Sequence, residues 1–159
     1  ATAAFEGGVF AQAFPMFGVE RRGAPVQAYV RFSDRKVRLR SQIYEPDYII
    51  VQDSTLIADV NVFAGMKKGG IAIVNTNAPG GWTPPEGVRV ITVDATGIAL
   101  DVVGVPITNT SLMGAFAAAS GEITMEAMEN AIRHRFKEEI ALKNIEAARR
   151  AYNLVKGAS

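Results

Sequence analysis

The sequence predicts an α/β fold: a three-layer α/β/α arrangement with a mixed, largely parallel sheet and its longest helices at the C-terminal end. Three observations lead there. Residues 47–52 (DYIIVQ), 70–75 (GIAIVN) and 88–93 (VRVITV) are apolar runs without alternation, the pattern of strands buried on both faces. Short helical stretches lie between them, and strand–helix–strand order implies right-handed crossovers. The last third carries unbroken helical periodicity.

Taken in order, residues 1–5 read as the last turns of a helix that stops at Gly7–Gly8. No methionine or strand precedes that helix, so an N-terminal piece is expected to be missing. Residues 25–33 (PVQAYVRFS) are rich in β-formers and read as a strand. Residues 36–41 (KVRLRS) alternate cleanly, with Val37 and Leu39 on one side and Arg38 and Arg40 on the other. The two runs predict a hairpin turning at residues 33–36. Helical stretches are expected near 55–58 and over 61–68, followed by a loop at 77–87, which holds three prolines and three glycines.

A helix over 109–119 is rich in alanine and contains Gly114. Thr124 suits the N-cap of the next helix, whose Met125, Met128, Ile132 and Phe136 form one stripe. Ala141, Ile145, Ala148, Tyr152 and Val155 repeat that pattern in a last helix. Glu138 and Glu139 begin it, Arg149, Arg150 and Lys156 end it, in keeping with the macrodipole, and Gly157 is its stop.

The chain of 159 residues suits one domain. Its net charge of +1 gives no general argument for nucleic-acid or membrane binding. There are no cysteines, so neither a disulfide framework nor an iron–sulfur cluster ligated by this chain is possible. No apolar run reaches the roughly 18 residues of a membrane span, and no signal peptide is visible, so a cytoplasmic protein is expected.

Four places hold residues able to carry chemistry. In residues 17–26 (FGVERRGAPV), Glu20, Arg21 and Arg22 stand between Gly18 and Gly23. Adjacent guanidinium forks on a glycine-bounded loop can grip a phosphate or carboxylate, and a solvated turn with locally paired charges is the other reading. At the carboxyl ends of the strands stand Gln52 and Asp53, Asn75 and Thr76, and Asp94 and Thr96, where open α/β sheets bind ligands. Asp53, Ser54 and Thr96 can equally cap the helices that follow. Residues 109–115 (NTSLMGA) begin a helix whose free N–H groups, at Asn109 and Thr110, can hold an anion. The small residues of that helix can admit another surface or pack within the chain. Trp82 can be a contact aromatic or a loop staple. His134, the only histidine, lies off its helix's apolar stripe and should be exposed. No catalytic triad, Cys/His metal site, GxxxxGK[ST] or GxGxxG is present.

Residues 14–26 (FPMFGVERRGAPV) closely resemble a segment of the gamma subunits of pyruvate and related 2-oxoacid:ferredoxin oxidoreductases. Residues 39–48 (LRSQIYEPDY), 51–53 (VQD) and 109–116 (NTSLMGAF) resemble the same family, in the family's order. The resemblance implies a single gamma-type domain over 1–159, working in the complex that oxidatively decarboxylates pyruvate to acetyl-CoA and reduces ferredoxin. It implies alpha, beta and delta-type partner subunits. Thiamine diphosphate, magnesium, iron–sulfur clusters and coenzyme A would be the complex's cofactors, with no redox centre and no catalytic or metal-ligating residue on this chain. Glu20, Arg21, Arg22, Gly23, Asn109 and Thr110 are the residues expected to contact coenzyme A or a partner subunit. A gamma subunit of a 2-oxoisovalerate or other 2-oxoacid enzyme, and a purely structural scaffold, are the alternatives. Family members usually begin with a strand and a Gly-Gly-Gln-Gly turn, which this sequence lacks.

Overall fold

A computed structural model describes residues 1–16, 25–78 and 80–158. Helix α1 (Thr2–Glu6) leads into strands β1 (Phe10–Met16) and β2 (Gln27–Ser33). Then come β3 (Tyr48–Val51), α2 (Leu56–Asp59), β4 (Ile71–Asn75), β5 (Arg89–Val93) and α3 (Ala95–Val102). The chain closes with α4 (Asn109–Ser120), α5 (Met125–Arg135) and α6 (Glu138–Gly157).

The expected mixture of parallel and antiparallel pairing is present, divided between two sheets. β3, β4 and β5 form a parallel sheet in that order, and β1 and β2 pair antiparallel from Phe10↔Ser33 to Met16↔Gln27. β4 is central, and its successive residues Ala72, Ile73 and Val74 are all fully buried. Neighbouring side chains on a strand point to opposite faces, so both faces of the sheet are covered. Ile73 belongs to the main core, and its strand packs against α4. The two sheets meet on one aromatic: the Phe116 ring lies 6.2 Å from Phe32 of β2 and 5.4 Å, edge-on, from Tyr48 of β3.

Helix α4 is the centre of the molecule. Thr110, Ser111, Leu112 and residues 114–118 are all buried, so it packs on more than one side. Its tightest contact is with α6. A Cβ placed on Gly114 would lie 2.0 Å from the Ala148 carbonyl oxygen. Glycine is needed there because the two backbones touch, and Ala115, Ala117, Ala118, Ala147, Ala148 and Ala151 keep the surrounding helix faces low. Gly121, at φ +71, ends α4 in the left-handed region that glycine adopts without penalty. Thr124 caps α5 as expected, its hydroxyl accepting from the Ala127 N–H at 3.1 Å. Met128 and Ile132 of the α5 stripe are buried, and α6 buries Ala141, Ile145, Ala148 and Val155.

Three local expectations are corrected. Residues 36–41 are not a strand; β2 pairs with β1 instead. The competitor is hidden in sequence because β1 contains Ala11, Ala13 and Pro15, poor strand formers, and is held by its cross-strand partners, among them Phe14 and Tyr29 with ring centres 5.4 Å apart. Residues 61–68 form turns rather than a helix. Phe63, buried to 5% exposure, takes its place in the core from those turns, and Gly65 sits at φ +73 against the Tyr44 carbonyl. Helix α3 arises in a stretch with Gly97 and branched residues, where propensity is low. The Asp94 carboxylate starts it by accepting from the Gly97 N–H at 2.7 Å.

The α4–α6 contact predicts that Gly114→Ala destabilises the protein by about 2 kcal/mol or more, by overpacking. Because the clash is with backbone, Ala148→Gly should not restore stability. Thermal denaturation of the single and double variants checks this; a wild-type melting temperature for Gly114→Ala would refute it.

Candidate ligand and subunit contact site

Glu20, Arg21, Arg22 and Gly23 lie outside the described residues. The described hairpin ends from which that segment departs are Met16 and Gln27, paired with each other. Arg31, four residues along β2 from Gln27 and on the same face, ties the hairpin to the residues after it. Its Nη2 donates to the Ser41 carbonyl at 2.7 Å and the Gln42 carbonyl at 3.0 Å, and its guanidinium stands 5.8 Å from the centre of the Phe14 ring. The Gln42 amide donates to Met16 Sδ at 2.7 Å. The Arg-Ser-Gln segment is thus pinned against the hairpin face, a role that the sequence pattern did not disclose. Gln12, directly opposite Arg31 in the strand register, keeps its Oε1 buried without a partner, as does Arg31 its Nη1.

Asn109 is exposed and Thr110 is buried. The Thr110 hydroxyl donates to Asn144 Oδ1 of α6 at 2.8 Å, and Asn144 Nδ2 donates to the Ile140 carbonyl at 2.8 Å. Asn109 Oδ1 accepts from the Thr110 N–H at 2.9 Å. The threonine side chain is therefore engaged inside the domain, and Asn109 is the member of the pair that faces out. The small residues of α4 serve packing within the chain.

The residues at the carboxyl ends of the parallel strands are brought together, and most are spent on each other. Asn75 Nδ2 donates to the Gln52 carbonyl and to Thr96 Oγ1, each at 2.9 Å, and its Oδ1 accepts from the Thr96 N–H at 3.2 Å. One side chain thereby fastens the ends of β3 and β4 to the start of α3. The Thr76 hydroxyl accepts from the Ala78 N–H at 3.1 Å. Asp53 Oδ1 accepts from both the N–H and the hydroxyl of Thr55, at 2.9 and 2.6 Å, and these bonds hold its carboxyl below the usual range. Asp53 makes a local turn bond ahead of α2, whose N-cap is Thr55 with no side-chain cap bond, so neither Asp53 nor Ser54 caps it; Asp94 rather than Thr96 caps α3.

Beyond this edge, α2 and the turn at Gly80, Gly81 and Trp82 enclose an open cleft of about 580 Å³. Ile57, Phe63 and Trp82 give it apolar walls, and among the described residues Asp59 is the only charged one lining it. His134 is exposed and pairs with Glu6 at 3.0 Å. Among the described residues no group of three or more His, Cys, Asp or Glu side chains is arranged to hold a metal ion. No helix among them is long and apolar enough to cross a membrane.

The described residues form a two-sheet α/β domain whose strand-end polar groups are spent on internal bonds and which gathers no metal-ligating cluster. The chain belongs to the pyruvate ferredoxin/flavodoxin oxidoreductase family, whose model matches residues 1–154. It is similar to the pyruvate synthase subunit PorC of Methanocaldococcus jannaschii, 54% identical over 153 residues, covering 96% of this chain and 84% of that one. It is also similar to the pyruvate/ketoisovalerate oxidoreductases common subunit gamma of Thermococcus kodakarensis, 46% identical over 165 residues, covering 96% of this chain and 85% of the relative. Among solved structures, the pyruvate oxidoreductase subunit PORC of Thermotoga maritima superposes with a TM-score of 0.83 at 33% identity, over 96% of this chain and 84% of that one.

The buried pair predicts that Thr110→Val destabilises by about 1–3 kcal/mol, because Asn144 Oδ1 loses its donor. The double variant Thr110→Val with Asn144→Leu should recover part of that loss, read by chemical denaturation; additive losses would contradict the coupling. Asp53 carries a pH signature. Its carboxyl is depressed in the fold, so its contribution is present above the unfolded value and disappears as pH falls through the folded one. Wild type should lose more stability than Asp53→Asn on acidification across that window; parallel pH curves would refute this.

Proposed function

We propose that the chain is the gamma-type subunit of a pyruvate:ferredoxin oxidoreductase, the complex that converts pyruvate and coenzyme A to acetyl-CoA, carbon dioxide and reduced ferredoxin. The observation that carries this reading is the 54% identity to a pyruvate synthase subunit over nearly the whole chain. The sequence has no cysteine, so iron–sulfur clusters would sit on other subunits, where thiolates can hold them. Thiamine diphosphate and magnesium would likewise be held elsewhere, and supply the chemistry of decarboxylation. The partners are alpha, beta and delta-type subunits, with ferredoxin received by the complex in the cytoplasm.

This chain's part is non-catalytic. Arg21 and Arg22, with Glu20 and Gly23 shaping the loop, position coenzyme A phosphates or contact a catalytic subunit, and Asn109 adds an outward polar group at the start of α4. Guanidinium forks suit phosphate oxygens bidentately. Thr110 supports Asn109 through the α4–α6 hydrogen bond.

A second reading concerns substrate. The similarity to a subunit named as common to pyruvate and ketoisovalerate enzymes favours a chain able to serve more than one 2-oxoacid complex. Isolating the complexes from the native host and testing each with pyruvate and 2-oxoisovalerate separates the two readings.

In the purified complex, Arg21→Ala with Arg22→Ala should raise the KM for coenzyme A by roughly tenfold for each charge-assisted bond lost, with kcat changed less, or else release the subunit. Unchanged KM and unchanged assembly would refute the assigned role.

A further inference from the structure

Residues 34–42 hold four cations, Arg35, Lys36, Arg38 and Arg40, against one acid, Asp34. Arg35 lies 3.6 Å from Asp34. Lys36, Arg38 and Arg40 are exposed and have no carboxylate partner among the described residues. Among the described residues most other cations are paired or donate to carbonyls; Arg133, Arg135 and Lys137 also lack a carboxylate partner, the first two in the last turn of α5, where positive charge complements the helix dipole, and Lys137 alone between two helices. Lys36, Arg38 and Arg40 are on no helix.

The same segment is built like a strand and left without a ladder. Cations alternate with Val37 and Leu39, and Leu39 is 66% exposed. No main-chain hydrogen bond within the described residues involves residues 36–40. Both ends are nevertheless fixed. The Arg35 N–H donates to the Ser33 hydroxyl at 3.2 Å, and Arg31 holds the Ser41 and Gln42 carbonyls. A segment pinned at both ends, with free peptide groups, an outward leucine and three uncompensated cations, loses little conformational entropy when it is covered. Such alternation supplies an apolar anchor between charges that set orientation.

We infer that residues 36–40 are a docking strip for another subunit, which meets it with an acidic surface and an apolar depression for Leu39. This rests on the chain working as a subunit. The occupant is a protein face rather than a small anion, because the cations are interleaved with the half-buried Val37, the exposed Leu39 and unpaired peptide groups, which a phosphate would leave uncovered.

The test uses the intact complex, with Lys36→Glu, Arg38→Glu and Arg40→Glu combined. Retention of this subunit is followed against sodium chloride concentration by size-exclusion chromatography and native mass spectrometry. The triple variant should leave the complex at markedly lower salt than wild type, with at least tenfold weaker association, and the corresponding triple glutamine variant should fall between. Leu39→Asn should weaken retention without changing its salt dependence. Retention equal to wild type in all three variants overturns the strip. Intact assembly with a raised KM for coenzyme A also overturns it, assigning the cations to an anionic cofactor. A wild-type chain that binds no companion at any salt removes the subunit reading and this one with it. A raised coenzyme A requirement confined to the Arg21 and Arg22 variant leaves the strip standing on its own evidence.

Discussion

The contact between α4 and α6 is the constraint on which the rest depends. Gly114 meets the Ala148 backbone, and the Thr110 hydroxyl meets Asn144 one helical turn earlier. Both contacts pair residues 34 positions apart, so the helices run alongside in one register. That register fixes where Phe116 stands, and Phe116 is the residue on which both sheets converge. A bulkier α4 would push α6 away and shift Phe116 from Phe32 and Tyr48 together. Packing interiors have little slack for such movement. The hairpin and the parallel sheet share no ladder among the described residues, so their relative placement passes through this helix pair.

Polar side chains are divided between internal fastening and outward display. Asn75, Asp53, Asp94 and Thr110 stand where a ligand-seeking reading would put them, and each is engaged with neighbouring backbone or side chains. Their bonds make the strand ends rigid, which is a property of a platform. Arg31 does the same for the hairpin, replacing a third strand's ladder with bonds from one guanidinium nitrogen to two carbonyls. Among the described residues, display falls to Asn109 and to the exposed cations after β2.

Much of this was legible in the sequence because burial on both faces leaves a strong mark. β3, β4 and β5 were found within a residue or two from unbroken apolar runs. The α5 and α6 stripes likewise follow from a period that only a helix satisfies. The misses share a cause: the decisive contact was distant in sequence. Residues 36–41 have better strand alternation than 10–16, yet β1 takes the place beside β2, through pairs such as Phe14 with Tyr29. Residues 61–68 give way to turns around the buried Phe63; helix α3 is the exception, since its deciding bond is local, from the Gly97 N–H to the Asp94 carboxylate three residues back. At the candidate site, Gly114 was visible as a small residue. Whether its neighbour would be another subunit or its own α6 could not be read from composition, since both need the same absent side chain.

The failed strand is itself informative about function. A run with alternating pattern and no ladder is exposed to chance pairing unless something guards it, and charged side chains on an edge are a common guard. Lys36, Arg38 and Arg40 serve that purpose in the isolated chain, since like charges repel a second copy of the same edge. The same three charges attract an acidic face. One set of residues can thus oppose self-association and favour a complementary partner, as expected where specificity is a difference between two affinities. Strand propensity without strand structure is then consistent with a segment whose charges oppose its own kind and complement an acidic face.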